Sequence, residues 1–162
     1  MILNVKFFLF IRKCLIREKN KMASIIDMQL MRYINLFSKT TKVQTTKVFV
    51  YNNQIVFAVP KSKVSMAIGK GAINVRRMNE ILRKKIKVVI MPAIDDNEGI
   101  GKFVKETVAP IEFNKIEVKE NSIIVTAGRE SKAALIGRNR TREKELSDVL
   151  KNFFHIGKLR IA

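Results

Sequence analysis

Two stretches of the sequence are versions of one another, and together they decide the fold. Residues 47–70 read KVFVYNNQIVFAVPKSKVSMAIGK, and residues 115–138 read KIEVKENSIIVTAGRESKAALIGR. The second aligns with the first without a gap at a shift of 68 positions, and the apolar pattern keeps this register beyond both stretches. A repeat at fixed register is the signature of a duplicated structural unit. The sequence therefore predicts two copies of one small fold.

Each copy contains a predicted β-hairpin. Short runs of β-branched and aromatic residues lie on either side of a polar pair, Asn52-Asn53 in the first copy and Glu120-Asn121 in the second. This pattern is typical of two antiparallel strands joined by a tight turn. We expect strands at 48–50, 55–59, 116–118 and 123–125.

Helical patterns surround each hairpin. Apolar residues recur at helical spacing once before it and twice after it, and a β-branched run closes each copy. Ser62 follows Pro60 and is the predicted N-cap of the helix after the first hairpin. The next helix carries four apolar residues on one face, namely Val75, Met78, Ile81 and Leu82. The predicted helices are 25–37, 62–68, 74–83, 100–108, 130–136 and 141–154, and the closing strands are 86–91 and 158–161.

The element order αββααβ therefore occurs twice. The predicted fold class is α+β, with two tandem units that are each a three-stranded sheet covered by helices. Between the copies, Asp95, Asp96 and Glu98 follow Pro92. Their spacing is not that of an EF-hand loop, and we interpret them as an acidic helix start at the domain junction.

The charge distribution follows the repeat. The 162 residues include 32 Lys and Arg against 14 Asp and Glu, a formal charge of +18. This charge favours a polyanionic partner, either nucleic acid or an anionic membrane surface. Residues 61–87 carry a net charge of +8 and residues 128–160 carry +5, whereas residues 95–120 carry −3. The positive charge is thus concentrated in the second part of each copy.

The composition argues against several classes of site. One Cys and one His exclude an intramolecular disulfide and a Cys-based zinc site, and they make a His-based metal site or a Ser-His-Asp triad implausible. We therefore expect no metal, no cofactor and no catalytic residue, with a small nuclease as the alternative class. Trp is absent and Tyr occurs twice, which favours contacts to a nucleic-acid backbone over an aromatic stacking platform.

Residues 1–21 form a basic and apolar extension. Its apolar run covers only residues 7–11, which is too short for a transmembrane helix or a signal peptide. We expect a cytoplasmic protein without a membrane span, whose translation starts at Met22. An amphipathic helix on a membrane surface is the alternative for this segment.

A short break between two helices is the best candidate for a binding site. Gly69-Lys70-Gly71-Ala72 ends one predicted helix and starts the next, and Arg76-Arg77 lies one turn further on. Glycine lets a backbone approach closely, and the following helix N-terminus presents free N–H groups and a positive dipole end. These features suit a phosphate backbone, and the alternative is a plain helix connection with a solvated Lys. The basic turn recurs at Gly137-Arg138-Asn139-Arg140, which favours binding.

The loop also carries a resemblance to a known family. IGKGAINVRRMNEIL, residues 68–82, resembles the signature of KH domains, whose GxxG loop clamps a single-stranded backbone. The αββααβ order resembles the type II KH arrangement. Two such domains, with LIGRNR at 135–140 in the second, resemble the KH pair of NusA transcription factors. Without the polymerase-binding and S1 domains, the chain resembles the short archaeal type. The resemblance runs from about residue 25 onward and implies KH domains at 22–94 and 95–162.

The resemblance implies a function as well as a fold. It implies a non-enzymatic factor that binds single-stranded RNA and acts in transcription termination or antitermination, with RNA polymerase as a further partner. A KH protein of ribosome assembly or RNA processing is the alternative within the binding class. A protein that docks its basic face on a membrane or on polymerase is the third possibility. The implied RNA-binding residues are Ile68, Gly69, Lys70, Gly71, Ala72, Arg76, Arg77, Ile136, Gly137, Arg138, Asn139 and Arg140.

Both loops depart from the family pattern at their last position, where Ala72 and Arg140 replace glycine. The methyl group of Ala72 is a small intrusion. Arg140 either blocks close approach or adds a phosphate contact, and we expect the second site to depend more on charge. The family reads bases in an apolar groove beside the loop, and by position the candidates are Ile68, Ile73, Val75 and Ile136. Core packing is the alternative for all four, and it is favoured for Val75.

Overall fold

The computed structural model describes residues 28–162, so the expectations for residues 1–21 and for a start at Met22 lie outside the described residues. The first unit comprises α1 (Met28–Thr41), β1 (Lys47–Tyr51), β2 (Gln54–Val59), α2 (Val64–Ile68), α3 (Ile73–Leu82) and β3 (Ile86–Ile90). The second unit comprises α4 (Asn97–Val108), β4 (Lys115–Lys119), β5 (Ser122–Thr126), α5 (Arg129–Ile136), α6 (Thr141–Phe154) and β6 (Lys158–Ile161). The predicted α+β class and the order αββααβ are confirmed in both units.

The two sheets have the same topology. In each, the central strand pairs antiparallel with its hairpin partner and parallel with the closing strand, which gives the orders β1-β2-β3 and β4-β5-β6. Ile55 lies between Val50 and Ile86 in the first sheet. Its counterpart Ile123 lies between Val118 and Leu159 in the second. The hairpins thus keep the 68-residue shift of the sequence.

The start of α2 corrects one prediction. Ser62 is not an N-cap, because Lys61–Lys63 form a single 3₁₀ turn and α2 begins at Val64 without a side-chain cap. Pro60 has φ −57°, and its carbonyl accepts a hydrogen bond from Lys63 N at 2.9 Å. The proline ring fixes this φ, so a three-residue 3₁₀ turn precedes the helix. At α4, by contrast, the acidic helix start is present, since Gly99 N donates to Asp96 Oδ1 at 2.9 Å.

The first sheet is covered on both faces. On one face, its residues pack under α1 and α3, where the rings of Phe37 and Phe57 stack with centroids 4.2 Å apart. On the other face, Phe49 contacts Phe103 of α4 and Phe153 of α6, at centroid distances of 6.0 and 5.5 Å. Two helices of the second unit, α4 and α6, therefore lie between the two sheets, and a single core joins both units.

This layer order explains where the two copies of the sequence differ. Phe49 and Tyr51 face the second unit and are buried. The residues at the same repeat positions are Glu117 and Lys119, whose side chains reach solvent. The helices show the reverse. Val149 of α6 is buried, but its counterpart Ile81 on α3 is 55% exposed. Of the apolar residues predicted on one face of α3, Met78 is buried and Ile81 is exposed, because no second sheet covers α3 in the described part of the chain.

Polar contacts complete the junction of the units. Asn52 N donates to Glu145 Oε2 at 2.9 Å, and Ile90 N donates to Glu106 Oε2 at 3.2 Å. Lys87 Nζ donates to the carbonyl oxygens of Thr107 and Ala109, at 3.2 and 3.0 Å. These bonds satisfy backbone groups at the junction of the two units. They therefore favour one relative position of the units, which apolar contact alone does not define.

Candidate nucleic-acid interface

The two helix–loop–helix turns have the same backbone conformation. In the first, α2 ends at Ile68, Gly69 has φ +76°, and Gly71 and Ala72 have φ +62° and +59°. In the second, Gly137, Asn139 and Arg140 have φ +71°, +54° and +57°. Left-handed backbone occurs at the first, third and fourth positions of each loop, although only the first position is glycine in both.

The departures from the glycine pattern are accommodated in the backbone rather than by a different turn. Ala72 and Arg140 both adopt the left-handed conformation that glycine takes without strain. For a residue with a Cβ this conformation costs roughly 1–2 kcal/mol. Asn139 adopts it more readily than most residues. Both loops thus keep the turn, at a cost that the surrounding structure must offset.

Each loop encloses its first glycine, and the first loop leaves its third position open. A Cβ added to Gly69 would lie 2.9 Å from Asn74 Nδ2, and one added to Gly137 would lie 2.9 Å from Arg142 Cγ. A Cβ added to Gly71 would meet nothing within 4 Å. The backbone at Gly71 is therefore accessible to a ligand, whereas the first glycine is required by the packing beneath it.

A side chain of the second helix bridges each loop at its base. Asn74 Nδ2 donates to the Met66 carbonyl at 3.1 Å, and Arg142 Nη1 donates to the Ala134 carbonyl at 2.9 Å. The four residues occupy equivalent positions in the repeat. We call Asn74 and Arg142 the bridging side chains. The sequence prediction missed them, although a polar donor at the same position of both copies was a signal for them.

One arginine of the second loop forms an ion pair with a neighbouring glutamate. Arg140 pairs with Glu143 through two contacts, Nε to Oε2 at 2.8 Å and Nη2 to Oε1 at 3.3 Å. Thr141 Oγ1 donates to the Arg138 carbonyl at 2.8 Å. In the first copy Val75 stands at the position of Glu143, so this ion pair is particular to the second loop. The Arg140 side chain is 70% exposed, whereas that of Glu143 is 16% exposed, so the arginine is open to solvent and its carboxylate partner is largely covered.

The predicted cationic residues lie at the surface beside the loops. Lys70, Arg76 and Arg77 are exposed near the first loop, and Arg138 is exposed in the second. Because these side chains stay in water in the folded protein, their charge remains available to an anionic ligand. Each loop is thus followed by a helix N-terminus and surrounded by positive charge, an arrangement that attracts an anion.

The apolar candidates separate into two groups. Val75 packs against the core of the first unit, and Ile136 packs against the shared core. Ile73 is 56% exposed, and Met66, which the sequence prediction did not include, is 57% exposed. Ile68 is half-buried beside them. In the second copy the positions of Met66 and Ile73 hold Ala134 and Thr141, so large exposed apolar side chains flank only the first loop.

Residues 28–162 present neither a metal-binding cluster nor a membrane-spanning helix. No group of three or more His, Cys, Asp or Glu side chains in this part of the chain is placed to hold a metal ion. Among the helices that the structure describes, none has both the length and the apolarity needed to cross a bilayer.

Comparison with known proteins places the chain near a group of archaeal proteins. It is 33% identical over 94 residues to the probable transcription termination protein NusA of Methanococcus vannielii, an alignment that covers 57% of this chain and 51% of that protein. It is 25% identical over 132 residues to the protein of the same name from Methanocaldococcus jannaschii, covering 79% of this chain and 69% of that protein. The match thus spans about half the length of the first relative.

One solved structure shares the fold. The crystal structure of APE1850 matches with a TM-score of 0.57 at 27% sequence identity, and it covers 82% of this chain and 96% of that protein. No protein-family model matches the chain. The resemblance to archaeal NusA proteins that the loop sequences suggested is therefore confirmed by two named relatives.

Proposed function

We propose that this protein is an RNA-binding transcription factor of NusA type, which acts in termination or antitermination by holding single-stranded RNA on two tandem KH units. The observation that carries the proposal is the shared backbone conformation of the two loops, which persists where their residues differ. The names of the two archaeal relatives supply the process. Nothing in this role requires a catalytic group, and the protein acts by binding.

The chemistry of the loops fits a phosphodiester backbone. At Gly71 the main chain is open, and the N-terminus of α3 follows within two residues. A phosphate there meets backbone N–H groups, the positive end of the helix dipole and the ammonium group of Lys70. Such contacts fix the position of the RNA and carry no sequence information.

The two loops contribute unequally. The exposed side chains of Met66 and Ile73 give the first loop an apolar surface on which an unstacked base can pack. The second loop has a small and a polar residue at these positions, and its Arg140 is shared with Glu143. We propose that the first unit discriminates between bases and that the second holds the backbone.

The test is binding of a mixed-sequence single-stranded RNA, measured by fluorescence anisotropy with the full chain. Gly71→Asp adds a carboxylate at an open, left-handed position and is expected to weaken binding strongly. Gly128→Asp is the matched control, because a Cβ there also meets nothing within 4 Å and Asp is favourable at a helix N-cap. Equal affinity of the two variants would contradict the proposed site, and an unaltered chain that binds no RNA would contradict the proposed function.

RNA polymerase is the proposed protein partner. A termination or antitermination factor acts on the transcribing enzyme, and the relatives are named for that process. The tagged chain should recover polymerase from a nuclease-treated extract of its own cells. Recovery of polymerase that depends wholly on intact RNA would show that the two proteins share a transcript and do not touch.

A further inference from the structure

We infer that Asn74 and Arg142 are positioning residues, which hold the two loops in the conformation that receives the RNA backbone without contacting the RNA themselves. The inference rests on the proposed function, since it concerns the same two loops. It assigns a role to two side chains that lie outside the GxxG sequence and differ in charge.

Both bridging side chains satisfy a carbonyl that the preceding helix leaves open. The last four carbonyl groups of a helix lack partners within it. At the end of α2, Gly69 N donates to the Ser65 carbonyl at 2.9 Å, and the Asn74 amide donates to the next carbonyl, that of Met66. At the end of α5, Gly137 N donates to the Ala133 carbonyl at 3.0 Å, and the Arg142 guanidinium donates to the Ala134 carbonyl. The second helix of each pair thus closes the end of the first.

The loops need this support because their backbone is strained. Three of the four loop positions have positive φ, and two of these are non-glycine residues in the second loop. Two backbone hydrogen bonds close each turn. In the first, Ala72 N donates to the Gly69 carbonyl at 3.1 Å and Ile73 N donates to that of Lys70. In the second, Arg140 N donates to the Gly137 carbonyl at 3.2 Å and Thr141 N donates to that of Arg138. Strained backbone persists only when its surroundings fix it. The bridging side chain adds a side-chain connection from the second helix to the end of the first, which these local bonds do not provide.

The bridging side chains also fill the space beneath the first glycine. Asn74 and Arg142 contribute the atoms nearest to a Cβ added at Gly69 or Gly137. The glycine and the bridging side chain therefore depend on each other, because the bridging side chain occupies the space that a side chain at the glycine would need. This explains why the first loop position is glycine in both copies while the third and fourth vary.

The amide of Asn74 and the guanidinium of Arg142 donate to equivalent carbonyls of the two copies. Charge is therefore not the property that the two bridging side chains share. Asn74 is neutral, and its amide donates to a carbonyl of its own unit, so the bridge of the first loop adds no charge to the site. A preorganised loop loses less conformational freedom when it binds, which raises affinity without a new contact. Loss of the Asn74 bridge should therefore lower the affinity for RNA and leave the salt dependence of binding unchanged.

The experiment compares Asn74→Ala with Asn79→Ala in the full chain. Both residues lie on α3, and each makes one hydrogen bond to the backbone, since Ile86 N donates to Asn79 Oδ1 at 2.8 Å. Asn74→Ala should weaken binding of mixed-sequence single-stranded RNA about fivefold, the value of one ordinary hydrogen bond, with the same salt slope. Asn79→Ala should reduce stability and leave the affinity of the folded protein unchanged. Asn74→Arg, which installs the side chain of the second copy, should restore the affinity at high salt.

Hydrogen exchange of the free protein separates this inference from the proposed function. The backbone amides of residues 70–72 should exchange faster in Asn74→Ala than in Asn79→Ala, whether or not RNA is present. Equal exchange and equal binding in these two variants would overturn the positioning role alone. An unaltered chain that binds no RNA would overturn the proposed function, and with it the purpose of the bridge.

Discussion

The backbone N–H of Asn52 donates a 2.9 Å hydrogen bond to the carboxylate of Glu145, which joins the hairpin of the first unit to the helix that follows the second loop. Glu145→Ala leaves this half-buried N–H without its partner, and we expect a loss of about 1–2 kcal/mol in the free energy of unfolding. Urea denaturation measures it. Glu120→Ala removes an exposed carboxylate and is the control; equal losses would mean that the junction bond contributes nothing.

The shared core predicts opposite results at two equivalent repeat positions. Phe49→Ala removes a buried ring that contacts Phe103 and Phe153, and it should lower the free energy of unfolding by about 3–5 kcal/mol. Glu117→Ala, 68 positions later, removes a solvent-exposed carboxylate that pairs with Lys115 Nζ at 2.7 Å, and it should change the free energy of unfolding far less, because exposed ion pairs stabilise little. The comparison fails if both substitutions cost the same, because the first sheet would then not be covered by the second unit.

Tyr51 predicts a loss of stability at high pH. Burial raises the pKa of its hydroxyl from 10.0 to about 12, and the hydroxyl has no hydrogen-bond partner within the described residues. The unfolded chain releases this proton at lower pH than the folded one, so the stabilisation is complete below pH 10 and is lost as the pH rises toward 12. Urea midpoints between these limits should fall more steeply for the unaltered protein than for Tyr51→Phe. Parallel curves would assign the loss to other groups.

The second loop predicts an order of electrostatic effects on RNA binding. Arg138→Ala should weaken binding and reduce the salt slope by about 0.7 for one lost phosphate contact on a single strand. Arg140→Ala should have a smaller effect, because Glu143 already holds the guanidinium. Glu143→Gln releases Arg140 and should tighten binding. Anisotropy titrations over a range of salt concentrations measure all three, and an unchanged slope in Arg138→Ala would refute a phosphate contact.

The glycines of the first loop predict a graded loss of stability. Gly69→Ala meets both a positive φ and the amide of Asn74 at 2.9 Å, whereas Gly71→Ala meets only the positive φ. Strain in the left-handed region costs about 1–2 kcal/mol, and the steric contact adds to it at Gly69 alone. Thermal unfolding of the two variants gives the comparison. A larger loss at Gly71 would reverse the assignment of the enclosed and the open position.

Local patterns were enough to predict most elements of the fold. The hairpins, the helices after them and the two loops depend on contacts between neighbours in sequence, such as the polar pair Asn52-Asn53 or the glycine that ends α2. The repeat strengthened each prediction, because a pattern kept in both copies is less open to chance. Ser62 failed for a local reason, since the fixed φ of Pro60 started a 3₁₀ turn before the helix.

By itself, the sequence determined the duplicated αββααβ order, the two basic loops and the concentration of charge around them. Only the tertiary structure decided that α4 and α6 lie between the two sheets, which buries Phe49 and Val149 and leaves Glu117 and Ile81 at the surface. It alone also connected Asn74 with Met66 and Arg142 with Ala134. The reason is physical: strand and turn preferences act between sequence neighbours, whereas the burial of a face and the partner of a side chain depend on which layer packs against it.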